Sequence, residues 1–135
     1  MDKALEKTIV DKFIKATERE RILRGLNSAL NRKQTISQMP DYLLDYVNYW
    51  DDEINRDEFL TIIRMYVNIH EAKFYVMGDL NYDGGPIPFE RAFEHMCNRK
   101  DSYIMVNVGP YGYTLIAKGK SPVCSSYRKY LYQTR

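Results

Sequence analysis

Histidine and cysteine are scarce in this chain, with His70, His95, Cys97 and Cys124 the only four among 135 residues. The cysteines lack CxxC spacing, so they read as two ordinary thiols that place no constraint on the fold, rather than as a disulfide or a metal knuckle. His95 and Cys97 stand two positions apart, which on a helix turns them to different faces, and no third group stands by to orient the imidazole. His70 reads as a hydrogen-bonded core histidine on the inner edge of a helix, not as a ligand. No phosphate-cradling glycine loop, HExxH or GxSxG is present. Long apolar runs are missing too, since no stretch approaches the ~20 uncharged apolar residues of a bilayer crossing. The opening Met1-Asp2-Lys3-Ala4-Leu5-Glu6-Lys7 interleaves acids and bases without the apolar segment of an export signal. These absences predict a cytoplasmic, non-enzymatic protein with no cofactor, no metal and no membrane partner.

Tyrosine is what the chain has in quantity: twelve, against a single tryptophan, Trp50. Its ring packs like a hydrophobe while the hydroxyl stays wet, so tyrosine can complete a small core and also dress a contact surface. The length suits one domain over residues 1–135, able to bury roughly 65–70% of its unfolded surface. The small net charge of +2 conceals an uneven spread. Residues 1–33 are basic, 41–58 carry seven acids against Arg56, and 118–135 carry five bases and no acid.

Leu5, Ile9, Phe13 and Ile14 recur at helical spacing. Thr17 with Glu20 then reads as a capping box for a helix carrying Ile22, Leu23, Leu26 and Leu30. Pro40 and Asp41 predict a short aromatic helix through Leu44 and Val47, ending in the acidic loop 51–53. Residues 55–71 give the clearest helix, with Phe59, Ile62, Ile63, Tyr66, Val67 and His70 on its inner stripe. Residues 74–77 read as a strand and 78–88 as a turn-rich segment. A helix with Phe89, Ala92, Phe93 and Met96 inside follows. Ile104, Val106 and Val108 alternate with Met105 and Asn107, and Gly109-Pro110-Tyr111-Gly112 connects them to residues 113–117 as a hairpin. Residues 127–132 read as an edge strand, with Arg128 and Lys129 guarding it against edge-to-edge pairing. The expected fold is α+β, with the N-terminal helices and the 55–71 helix covering one face of a small, mostly antiparallel sheet and one further helix present.

Asp79-x-Asn81-x-Asp83-Gly84 with Glu90 satisfies the pattern of a calcium loop. A strand-like lead-in, Pro86 at the eighth loop position and Pro88 at the exit favour a turn-forming Asp/Asn/Gly loop instead. Candidate partner-binding residues are the hairpin-tip rings Tyr111 and Tyr113, and Tyr127, Arg128, Lys129 and Tyr130 of the basic tail. Cations beside rings also suit phosphates and unpaired bases.

The run Phe13-Ile14-Lys15-Ala16-Thr17-Glu18-Arg19-Glu20-Arg21-Ile22-Leu23, with Arg32-Lys33 after it, resembles the opening of small, uncharacterised bacterial proteins that begin with an arginine-rich helical signature. Tyr75-Val76, Asp83-Gly84, residues 89–96 and residues 104–117 match their later order of strand, turn, helix and hairpin. The resemblance implies an α+β fold in a bacterial cytosol and carries no activity. The expected function is that of a non-enzymatic protein-binding protein, toxin neutralisation of an immunity type being its most concrete form. A nucleic-acid-associated regulator using the basic N-terminal and C-terminal segments is the alternative.

Overall fold

The computed structural model describes residues 1–45, 48–51, 54–78, 83–98, 102–109, 112–120 and 127–134. Helix α1 spans Lys3–Phe13, capped by Asp2, whose carboxylate accepts from the backbone N–H of Leu5 at 3.0 Å. It buries Glu6, Ile9, Val10 and Phe13. The chain then runs extended through Ile14, which bridges Leu43; the N–H of Leu44 donates to the Phe13 carbonyl at 3.0 Å, and that of Lys15 to the Tyr42 carbonyl at 2.9 Å. A 3₁₀ turn at Ala16–Glu18 follows, so α2 begins only at Arg19 and runs to Leu26 with no side-chain cap. The expected capping box is therefore not used, and Leu30, beyond the helix end, is 90% exposed rather than on its inner face. Helix α3 spans Arg32–Gln38.

The aromatic helix expected after Pro40 does not form. Met39–Tyr42 makes a 3₁₀ turn, and Asn48–Asp51 makes strand β1, because its Tyr49-Trp50 pair finds a sheet partner there. Helix α4 spans Arg56–Arg64, with Asn55 accepting from the Asp57 N–H at 2.7 Å. It stops seven residues short of the predicted end. The Asn68 carbonyl takes the Ala72 N–H at 3.0 Å and its carboxamide oxygen takes the His70 N–H at 3.2 Å, a turn that competes with helix continuation. His70 is consequently exposed, which corrects its reading as a core histidine, while Val67 and Ile69 stay buried.

Strand β2 (Lys73–Met77), strand β3 (Gly85–Pro88), helix α5 (Phe89–Asn98) and strands β4 (Tyr103–Gly109), β5 (Gly112–Lys120) and β6 (Tyr127–Thr134) complete the chain. The six strands form one antiparallel sheet in the order β1-β6-β5-β4-β2-β3. The β4–β5 hairpin pairs Tyr103 with Lys118 through to Gly109 with Gly112, as the alternation predicted. Strand β3 lies in the segment read as turns; its Pro86 and Pro88 are tolerated because it is an edge strand. Strand β6 is not an edge strand: β1 covers its outer side. The reading failed there because β1 had been read as helix, which left β6 without its second neighbour.

The α+β class holds, but helices cover both faces of the sheet, not one. Tyr75, Met77, Ile104, Val106, Leu115, Ala117 and Tyr130 face a core shared with α1, α2 and α3. The intervening Phe74, Val76, Tyr103, Met105, Ile116 and Leu131 face Phe59 and Ile63 of α4 and Phe89, Phe93 and Met96 of α5. Burial on both sides explains why 103–106 is apolar throughout rather than alternating with polar residues. Each fully buried Ile or Phe contributes ~1.5–3 kcal/mol from area removed from water. The N-terminal layer sits so close to the sheet that a Cβ added at Gly119 of β5 would stand 2.2 Å from Cβ of Pro40.

Candidate functional site

A dense group of ionisable side chains lies between α1, α3 and the sheet, around the guanidinium of Arg32. Its Nη1 and Nη2 donate to the two carboxylate oxygens of Glu6 at 2.7 and 2.6 Å, and its Nε and Nη2 donate to those of Asp83 at 2.6 and 2.8 Å. Nη1 also donates to the Leu26 carbonyl at 3.1 Å, so each of the five N–H groups of Arg32 has an acceptor. The Tyr75 hydroxyl donates to Glu6 at 2.5 Å and accepts from the Asp2 N–H at 3.1 Å. Burial alone would lower the pKa of Arg32, but hydrogen bonds and charge from Asp83 and Glu6 outweigh it and raise the value. The Tyr75 phenol is pushed up, first by burial and then by its bond to Glu6. Arg32 stays cationic and Tyr75 stays neutral at physiological pH. A cluster this saturated clamps α1, α3, β2 and the Asp83 turn together; it leaves no lone pair or proton of Arg32 for a reaction.

Sequence reasoning missed this cluster. One signal was present: Glu6 stands three, four and seven residues before Ile9, Val10 and Phe13, within the buried stripe of α1. Of the calcium-loop residues, Asp83 spends both carboxylate oxygens on Arg32, and Glu90 is exposed in the first turn of α5. Asp79 and Asn81 lie outside the described residues. Among the described residues no three His, Cys, Asp or Glu side chains gather as a metal site.

The predicted partner-binding residues do not form one exposed face. Tyr111 lies outside the described residues, as does the side chain of Tyr127, whose backbone opens β6. Tyr113 is half-buried against the N-terminal core, with the Lys12 ammonium 4.9 Å from its ring centroid. Lys129 and Tyr130 are each only 6% exposed, and Lys118 5%, because β6 is interior and the sheet is covered on both faces. Arg128 lies over the half-exposed ring of Tyr49 on β1, 4.3 Å from its centroid. Among the described tail residues, Lys118, Lys129 and Tyr130 are thus part of the sheet interior, which corrects their reading as an open surface. His95 and Cys97 are half-buried on α5, and Cys97 packs against the aromatic core.

An open groove lies at one end of the sheet, where the segment following α4 passes the ends of β4, β5 and β6. This groove has a volume of about 600 Å³. Tyr66, 40% exposed, and Val108, 51% exposed, line it together with Asn68, Lys73, Asn107 and Gln133. The Asn107 carboxamide donates to the Lys73 carbonyl at 3.0 Å and holds one wall to β2. Neither Tyr66 as a rim residue nor Val108 as a surface residue was foreseen, since both had been placed on inner stripes.

Comparison with protein-family models, with curated proteins and with solved structures found no match, so the resemblance seen in the N-terminal run gains no further support.

Proposed function

We propose that this chain is a non-enzymatic binding protein that holds a protein partner in the groove between the segment after α4 and the ends of β4, β5 and β6. A toxin-neutralising, immunity-type role is the concrete form of that reading. One observation carries it: an exposed tyrosine and an exposed valine flank a concave surface equipped with carboxamides, a lysine and the carboxylate of Glu71. A ring and an aliphatic group supply area that can be desolvated at low entropic cost, while the amides fix register by hydrogen bonding. The buried Arg32 cluster supports the same reading from the other side, because its charges are spent on holding the fold.

The test is affinity capture with the intact chain from its native host, followed by titration against the purified partner. Tyr66→Ala and Val108→Asp should each weaken that complex by at least tenfold, about 1.4 kcal/mol, with unchanged melting temperature. A partner whose affinity is untouched by both substitutions would remove the groove from the account. Failure of the captured protein to poison cells, with or without this chain, would remove the toxin-neutralising form alone.

A further inference from the structure

A second cavity, of about 340 Å³, lies on the surface of the α2–α3 pair. Arg21 and Arg24 stand on its α2 side, three residues apart and therefore on one helical face; Asn31, Gln34 and Gln38 line the other side at spacings of three and four. The helices approach closely at its base. A Cβ added at Gly25 would stand 2.0 Å from Oγ1 of Thr35, so the long side chains on either side become walls around a depression.

The chemistry of those walls is one-sided. No aspartate or glutamate lines the cavity. Arg21 is held in place: its Nε donates to Glu18 at 2.9 Å, its Nη1 donates to the Gln38 side-chain oxygen at 3.2 Å, and its guanidinium lies 4.9 Å from the centroid of Tyr42. Glu18 offsets the charge of Arg21. Arg24 is exposed and makes no hydrogen bond or ion pair among the described residues. The result is a guanidinium in no contact ion pair among the described residues, with Glu20 one helical turn away, beside an ordered guanidinium and facing carboxamides that offer neutral N–H donors.

We propose that this cavity binds a phosphate group, carried on a small molecule or on a polynucleotide, with Arg24 as its principal charged contact and Arg21, Asn31 and Gln34 as flanking donors. A planar guanidinium fork matches two phosphate oxygens, and the carboxamides across the cavity reach a third; a carboxylate has only two oxygens to offer. The site does not depend on the groove or on its protein partner. It retains from the nucleic-acid alternative only the N-terminal cations, since the tail lysines Lys118 and Lys129 are buried.

Calorimetric titration of the intact chain with pyrophosphate and with succinate, and anisotropy of a labelled single-stranded oligonucleotide at low and physiological salt, test the proposal. Binding of pyrophosphate alone assigns a small phosphorylated ligand. Oligonucleotide binding that weakens with salt assigns a polynucleotide backbone. In either case Arg24→Gln should weaken binding about tenfold, and on the oligonucleotide it should reduce the salt slope by about 1. Lys7→Gln, on α1 and paired with Asp11, should change affinity less than about twofold. Absence of binding to both phosphate probes, succinate binding as tight as pyrophosphate, or an Arg24→Gln variant that binds like the parent would each overturn it.

Discussion

The two faces of the sheet are held in different ways. On the α4–α5 face the packing is chiefly aromatic, and its buried cations, Lys118 and Lys129, sit opposite one another on β5 and β6, apart from the ionic cluster of the other face. Phe89 stacks on Phe93 at 5.4 Å, Phe59 stands edge-on to Trp50 at 5.6 Å, and Phe74 meets Phe89 at 5.4 Å. On the α1–α3 face an equally apolar core surrounds one ionic cluster, Glu6–Arg32–Asp83 with Tyr75. Aromatic area is tolerant, because many side chains of similar volume fill it. A fully hydrogen-bonded buried ion cluster is intolerant, because removing one member leaves the others charged and without water. The first face is specified by volume and the second by position.

The largest effect that would separate the two faces is Arg32→Met, which keeps the length of the side chain and removes its charge. It should cost about 3–5 kcal/mol, read as a drop in the urea midpoint. A loss below ~1 kcal/mol would place the two faces on the same footing. Next comes Gly119→Ala, where the added carbon meets Pro40 and the N-terminal layer must shift; about 1–3 kcal/mol is expected from overpacking, by the same measurement.

Tyr75→Phe should cost less, about 1.5–3 kcal/mol for a hydrogen bond to a charged group, and it carries a pH signature. The phenol pKa is raised in the folded state, so its contribution is complete below the ordinary tyrosine value and is lost as pH rises beyond ~10. The gap between the melting temperatures of parent and variant should therefore begin to narrow as pH rises above about 10; a constant gap would show that the hydroxyl plays no titrating part. The smallest effect belongs to the aromatic face: Met96→Leu, fully buried but conserved in volume, should cost below about 1.5 kcal/mol in urea unfolding.

How far each face was legible follows from the same difference. Apolar periodicity marked the inner residues of α1, α4 and α5 and the β4–β5 hairpin, since those patterns record burial directly. It overran where a local turn at Asn68 ended α4 ahead of the pattern, and it misread residues 48–51, whose strand exists through pairing with β6, some 80 positions later. Neither the groove nor the α2–α3 cavity was legible. Tyr66 and Val108 carry the same apolar label as core residues, and Gly25 opens the cavity only because Thr35 lies against it.

The chain alone determined the α+β class, the helix and strand types of its strongly periodic segments, and the absence of a long apolar span, because local spacing decides which residues can share a face. Tertiary structure alone decided the two-sided covering of the sheet, the interior place of β6 and the meeting of Glu6, Arg32 and Asp83. Those outcomes depend on contacts across 26 to 51 or more positions, and no local pattern encodes which distant partner a charge or an edge will find.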